Sequence, residues 1–476
     1  VKRRLLIAVA AVGAVAAALA AGVAFRARPM AEMAAGYAAK VMCSERFVAG
    51  RAPADVEARE LAGLHPALSR VRFRVDEEGR AVTAGLLGVA TRTAYFRPGL
   101  GCTLAERRSV LPVNGIEKPA PRPHAWPMAR RTDAAARDDV DYDRLDAALE
   151  AAFSGQDDAG PTGVRAVVVI QNRDLVAERY ADDFSADRPH TGWSMSKTVT
   201  GALVGVMVGR GSMAVDEPLP VPEWREGDPR ADIPLADFLH MASGLRFVES
   251  YEDPFSDVST MLWRSDDMGA YAAGRRLAAA PGERFSYSSG TTNLLMRAIG
   301  EAGEMTPEAL ARFPHEALFA PIGMASAVFE TDASGTPVGS SFVYATGRDW
   351  ARFGQLLLQD GVWDGERVLP EGWVDYMTTP TDAAGRGGSG YGAHVWLNAG
   401  AETPEGALWP DLPKDLFFAS GHDGQYVVVV PSRDTVIVRL GLSREFAARA
   451  DLGRLVRDVL EALPEPAESP LIPRLP

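Results

Sequence analysis

The sequence predicts an α+β fold, with one antiparallel sheet assembled from segments far apart in the chain and a helical subdomain inserted between them. Two hairpins carry the prediction. The run Val164 to Ile170 is almost continuously β-branched, Gln171 to Asp174 supplies a turn, and Leu175 to Tyr180 returns. Far downstream, Tyr426 to Val430, the turn Pro431 to Asp434 and Thr435 to Leu440 repeat the pattern, and most of the chain between reads as helices and loops. The third observation is the last amphipathic stretch. It sets Leu452, Leu455, Val456, Val459, Leu460 and Leu463 on one stripe, which should lie across a sheet.

Taken in chain order, Lys2, Arg3 and Arg4 precede an unbroken apolar run from Leu5 to Phe25, closed by Arg26 and Arg28. Residues 1–28 therefore read as an export segment, either an N-terminal membrane anchor or a signal peptide cut near Ala18 to Ala20. The protein is expected to be exported, periplasmic or at the outer face of the cytoplasmic membrane, and to meet the membrane through this segment. Residues 29–118 read as a small α+β region holding both cysteines, Cys43 and Cys102. In an oxidising compartment the two are expected to form a disulfide, a pair of buried thiols being the alternative. Here Val71, Phe73 and Val75 alternate with Arg70, Arg72 and Arg74 ahead of a Glu78-Gly79 turn, the pattern of a hairpin with one solvated face.

Residues 119–139, rich in Pro, Ala and Arg, read as a linker. A helix follows from about Asp141, with Leu145, Leu149 and Phe153 four residues apart. Residues 140–464 make the main domain, and 465–476 a Pro-rich tail.

The 476 residues carry a formal net charge of -13, and no basic patch stands out, so nucleic acid is not an expected partner. Lysine is rare: there are five, at positions 2, 40, 118, 197 and 414, among 50 basic residues. A composition that uses arginine for generic positive charge keeps lysine where a compact, proton-exchanging cation is needed. That singles out Lys197.

Lys197 stands in His190-Thr191-Gly192-Trp193-Ser194-Met195-Ser196-Lys197, ahead of the apolar helix Thr198 to Val208. A three-residue spacing on a helix puts the Ser194 hydroxyl and the ammonium on one face. Ser194 at the helix start also meets the positive end of the helix dipole, which favours an alkoxide or a tetrahedral oxyanion. A second element, Phe285-Ser286-Tyr287-Ser288-Ser289-Gly290, offers a phenol that can act as a base beside a lysine cation. The third, Ser420-Gly421-His422-Asp423-Gly424-Gln425, enters an apolar strand through glycines, where a backbone N–H can face a ligand. There is no G-x-S-x-G elbow, no H-E-x-x-H helix and no glycine loop ending in Gly-Lys, and the seven histidines are scattered. No metal or other cofactor is called for.

The ordered trio S-x-x-K, Y-x-S and H-x-G resembles the penicillin-recognising serine hydrolases: class C β-lactamases, DD-peptidases, related esterases and 6-aminohexanoate-dimer hydrolases. The stretches Leu239 to Leu245, Arg348 to Gly354, and Tyr391-Gly392 with Trp396 resemble the same group over about residues 140 to 464. Phe247 to Pro254 and the Ser-Ser after Tyr287 bring the chain nearest the aminohexanoate-dimer branch. The resemblance implies a β-lactamase/transpeptidase-like fold and a small-molecule amide or ester substrate. It implies Ser194 as acylated nucleophile, Lys197 and Tyr287 as proton-transfer groups, and the N–H groups of Ser194 and Gln425 as oxyanion hole. Tyr251, His422, Gly424, Ser289 and Trp396 would contact substrate.

Two departures bear on specificity. Ser289 stands where β-lactamases usually have Asn, and His422 replaces the Lys of their K-T-G strand, so recognition of a β-lactam carboxylate is weakened. The loop carboxylates Glu249, Glu252, Asp253 and Asp257 would attract an amine at the end of a linear substrate. The competing readings are a catalytically idle, membrane-anchored binding or sensor module, and a true β-lactamase or DD-peptidase. The oligomeric state is not legible in the sequence.

Overall fold

A computed structural model describes residues 27–120, 137–154, 162–381, 390–400, 406–443 and 447–466. The apolar run Leu5 to Phe25, most of the expected linker and most of the Pro-rich tail lie outside the described residues. Among the described residues no helix is long and apolar enough to cross a membrane.

The chain divides into two compact units. The described part of the first comprises residues up to Arg97, Cys102–Leu111 and Val248–Asp266; the rest forms the second. This division differs from the expected one in two places. Residues beyond Leu111 leave the first unit because Val113 and Ile116 pack with Leu100 and Ala311 of the second, and Lys118 Nζ donates to the carbonyls of Ala325 (2.8 Å) and Ala327 (3.2 Å). Residues 248–266 join the first unit through Trp263, whose ring meets Tyr37 edge-on at 5.0 Å.

In the first unit, helix α1 (27–47) buries an alanine-rich face that includes Ala31, Ala34, Ala35, Ala38 and Ala39. The four-stranded sheet β1 (Val71–Asp76), β2 (Ala81–Leu86), β3 (Ala90–Arg97) and β4 (Gly101–Ala105) runs in that order. Cys43 and Cys102 are joined in a disulfide with Cα atoms 6.0 Å apart. Arg51, only 1% exposed, is held by three carboxylates, those of Glu45, Asp55 and Glu60. Its charge is thus compensated where burial alone would be costly.

The second unit is built on a six-stranded antiparallel sheet. Its strands are β5 (Val164–Gln171), β6 (Asp174–Tyr180), β7 (Trp396–Leu397), β8 (Phe417–Gly421), β9 (Gln425–Val430) and β10 (Thr435–Gly441), in the order β7-β8-β9-β10-β5-β6. The closure between distant segments is the β10–β5 pairing, with Val436 opposite Ile170 and Val438 opposite Val168.

Both sheet faces are buried, which explains the unbroken apolar run of β5. Val167, Val169, Val428 and Ile437 pack under helix α2 (Tyr142–Ser154), through Leu145 and Leu149, and under the last helix α6 (Ala447–Ala462), through Leu452, Val456 and Val459. Val168, Ile170, Val427, Val436 and Val438 face the opposite core, with α3 (Met195–Gly209), α4 (Ser289–Ala302) and α5 (Gly347–Leu358). Gly354 lets α5 lie close: a Cβ there would fall 2.6 Å from Val436. The inserted helices therefore rest on one side of the sheet and carry the functional residues at their ends.

Candidate active site

Ser194 caps the N-terminus of α3, with φ -64° and ψ -9°, after Trp193 in the left-handed region at φ 45°. The turn is tight. Met195 N donates to Gly192 O (3.0 Å) and Ser196 N to Trp193 O (2.9 Å). Gly192 must be glycine, because a Cβ would lie 2.3 Å from the Trp350 ring. Ser194 is half-buried, whereas the helix behind it is buried from Met195 to Met207.

Lys197, one turn along, is 1% exposed and its Nζ donates to three neutral oxygens: Ser194 Oγ at 3.0 Å, Ser289 Oγ at 3.0 Å and Ser340 O at 3.1 Å. An ammonium has three protons, and these three acceptors fix its direction. The Ser340 carbonyl is set in turn by a clamp between α3 and α4. Thr200 Oγ1 donates to Gly339 O (3.1 Å), Ser340 N to Asn293 Oδ1 (3.2 Å) and Val343 N to Ser196 Oγ (3.0 Å).

Tyr287 precedes α4, whose N-cap Ser288 accepts from Thr291 N. The loop is tied down where Ser286 N donates to Met241 O (2.7 Å), which gives the stretch Leu239 to Leu245 a positioning role. The Tyr287 ring lies 4.7 Å from Lys197 Nζ, centroid to nitrogen. It packs on Trp396 at 5.5 Å and meets the buried Tyr391 edge-on at 5.9 Å, so the base candidate sits in an aromatic wall. Burial raises the Tyr391 phenol well above its ordinary value, which keeps that second tyrosine neutral.

His394 is buried behind α3. Burial lowers its pKa to about 3, assisted by the Lys197 charge. The neutral ring donates from Nδ1 to Leu239 O (2.8 Å) and accepts at Nε2 from Thr292 Oγ1 (3.0 Å).

The third motif forms the β8–β9 hairpin. Gln425 is 1% exposed and pairs with Gly421; its carboxamide donates to Gly441 O (2.6 Å), His422 O and Asp423 O, while Gly441 N donates back to it. Gln425 is thus tied into the sheet and its turn. The end of β8 borders the turn that precedes Ser194: a Cβ on Gly421 would lie 2.1 Å from Gly192 O, and the His422 ring meets Trp193 edge-on at 5.7 Å. Gly424 is buried at φ 82°, and its carbonyl accepts from Arg439.

Apart from His422, Gly424 and Gln425 of the hairpin, the site residues expected from the sequence fall into three groups. Ser194, Lys197, Tyr287 and Trp396 come together. Ser289 is completely buried, and its Oγ accepts from Lys197 Nζ. Tyr251 belongs to the first unit, as do the acidic-loop residues. Of these, Asp257 accepts from Val248 N (2.9 Å) and Asp253 from Phe255 N (2.8 Å), so two of the four carboxylates cap backbone. Sequence reasoning missed Ser340, Asn293, Tyr391 and His394 as parts of the site. Asn293, one turn beyond Ser289 on a helix, was the one with a readable signal. Among the described residues no group of three or more His, Cys, Asp or Glu is placed to hold a metal ion.

A helical insert on an antiparallel sheet, with a serine-lysine pair at the start of the buried helix, is the β-lactamase/transpeptidase-like architecture. The chain belongs to the Beta-lactamase family, which matches residues 149–461, and so to its serine hydrolases. It is 27% identical over 278 residues to the 6-aminohexanoate-dimer hydrolase of Paenarthrobacter ureafaciens, spanning 56% of this chain and 66% of that one, just under two thirds of the relative's length. Among solved structures, a Bacillus anthracis protein provisionally described as a 6-aminohexanoate-dimer hydrolase superposes with a TM-score of 0.54 at 23% identity, covering 64% of this chain and 81% of that one. A penicillin-binding protein homologue from Caulobacter crescentus superposes at 0.51 with 16% identity, covering 67% and 98%. At these identities the two structures bear on the fold alone.

Proposed function

We propose that the protein hydrolyses short esters and linear amides through an acyl-enzyme on Ser194. The observation that carries this is the 3.0 Å contact between a buried Lys197 Nζ and a half-buried Ser194 Oγ. Ser194 Oγ attacks the carbonyl carbon while its proton passes to the Lys197–Tyr287 pair. The tetrahedral oxyanion is held by Ser194 N–H, at the positive end of α3, and by the Gln425 N–H at the start of β9. As the carbonyl re-forms, the leaving amine or alcohol takes the proton back through Tyr287. Water then attacks the acyl carbon by the reverse route and frees Ser194.

His422 supports the preference for esters and linear amides over β-lactams, since it lacks the permanent charge a lysine would offer a drug carboxylate. The 6-aminohexanoate-dimer relative supports the amide part. The basic start of the chain, the apolar run Leu5 to Phe25 and the Cys43–Cys102 bridge support a location outside the cytoplasmic membrane. Steady-state kinetics on butyrate esters, aminohexanoate dimers and a penicillin test the specificity: the ester should give the highest kcat/KM, and a higher value for the penicillin contradicts the reading.

A further inference from the structure

The first unit has a basic sheet face that neither the fold nor the proposed chemistry uses. β1 turns Val71, Phe73 and Val75 inward and sends Arg72 and Arg74 outward, with Arg70 just before them; all three arginines are exposed. The strands alongside add only small residues, Gly85 and Thr91 in register with Arg72 and Thr83 and Thr93 with Arg74, and the one carboxylate of β1 on this face, Asp76, lies at its far end and accepts from Gly79 N. None of the three arginines has an ion-pair partner among the described residues, unlike Arg51, Arg230, Arg297 and Arg348. Three unpaired cations in a row are conspicuous on a chain of net charge -13.

An apolar tip adjoins them. Leu86 pairs with Ala90, so Leu87, Gly88 and Val89 form the β2–β3 turn, at the end of the sheet where Leu86 faces Val71. Leu87 is 73% exposed and Val89 43%. Leu87 also has φ 51°, a left-handed conformation that a turn normally fills with Asn or Gly. A large apolar side chain is thus kept where both backbone and solvent disfavour it. Ser69, Arg70, Arg72, Gly85, Leu87 and Gly88 together line one surface hollow.

We propose that this face docks on anionic phospholipid, with Arg70, Arg72 and Arg74 on the headgroup phosphates and Leu87 and Val89 in the acyl boundary. Guanidinium forks match phosphodiester oxygens, and an apolar tip flanked by arginines suits the graded polarity of a bilayer surface. A nucleic acid or soluble polyanion would satisfy the arginines but leave Leu87 and Val89 without an environment. The docking does not depend on the hydrolytic reading, and its failure would leave that reading intact.

The sequence has only Cys43 and Cys102, which are bridged, so a Leu87→Cys full-length protein carries a single site for an NBD fluorophore. Emission should rise and shift blue on vesicles of phosphatidylcholine mixed with phosphatidylglycerol, and not on phosphatidylcholine alone. Arg70→Gln/Arg72→Gln/Arg74→Gln in that background should weaken the response about a hundredfold in lipid concentration, with ester turnover unchanged. Raising salt on the labelled protein with its arginines intact should weaken it likewise, which decides the question even where the triple variant fails to fold. Equal emission on both vesicle types, or a response indifferent to salt and to the arginines, would overturn the proposal. So would arginine-dependent binding to soluble heparin without any change in emission on anionic vesicles, which would assign the face to a polymer.

Discussion

Ser289 Oγ and Ser194 Oγ each stand 3.0 Å from the same Lys197 Nζ, so the lysine bridges the start of α4 to the start of α3. Removing the Ser289 hydroxyl should leave a buried N–H without an acceptor, at a cost of about 1–3 kcal/mol. Ser289→Ala is expected to lower kcat about tenfold to a hundredfold with KM little changed, and to shift the pH profile of kcat/KM. A change in KM alone would return Ser289 to substrate binding.

Lys197→Ala and Tyr287→Phe should each reduce kcat about a thousandfold, in the range of general acid–base catalysis. Their combination should cost little more than either alone, since the two pass one proton between them. Fully additive losses in pre-steady-state acylation would mean separate roles.

Acid should destabilise the fold through its buried histidines. His394 and His315 have pKa values lowered by burial to about 3, while an unfolded histidine titrates near 6.5. The unfolded chain therefore binds these protons first as pH falls. The stabilisation is complete above pH 6.5 and is lost between there and about 3, amounting at pH 5 to about 2 kcal/mol for each histidine. Asp332 works the other way, since burial raises it to about 6 and its contribution is lost as pH rises through that value. His394→Gln should flatten the slope of Tm against pH between 6.5 and 4; an unchanged slope would mean that His394 is protonated in the folded state.

Most of the sheet was legible because Val, Ile and Leu mark its strands, and the stripe from Leu452 to Leu463 does pack beneath it. The β10–β5 closure follows from two hairpins that need a common core. The Ser194–Lys197 pair was legible because a local spacing on one helix determines it. The Ser340 carbonyl was not, since a backbone oxygen has no residue signature and its place depends on Thr200, Asn293 and Ser196 together. The grouping of residues 248–266 and of those beyond Leu111 was not legible, because the contacts behind it, Tyr37 on Trp263 and the cluster of Val113 with Ala311, join residues remote in sequence.

The Cys43–Cys102 bridge spans 59 residues of chain, for which loop closure gives about 4 kcal/mol. The double variant Cys43→Ser/Cys102→Ser should lower the first calorimetric transition and leave ester turnover at low temperature intact. Loss of turnover in a folded second unit would mean that the bridge acts on the site.

The most direct measurement is the mass of the peptide containing Ser194 after brief exposure to a fluorophosphonate, and after trapping with a slowly hydrolysed ester. One covalent adduct on Ser194 is expected, absent in Ser194→Ala and formed at least a hundredfold more slowly in Lys197→Ala. Turnover with no adduct, or an adduct on another hydroxyl that persists in Ser194→Ala, would contradict the account.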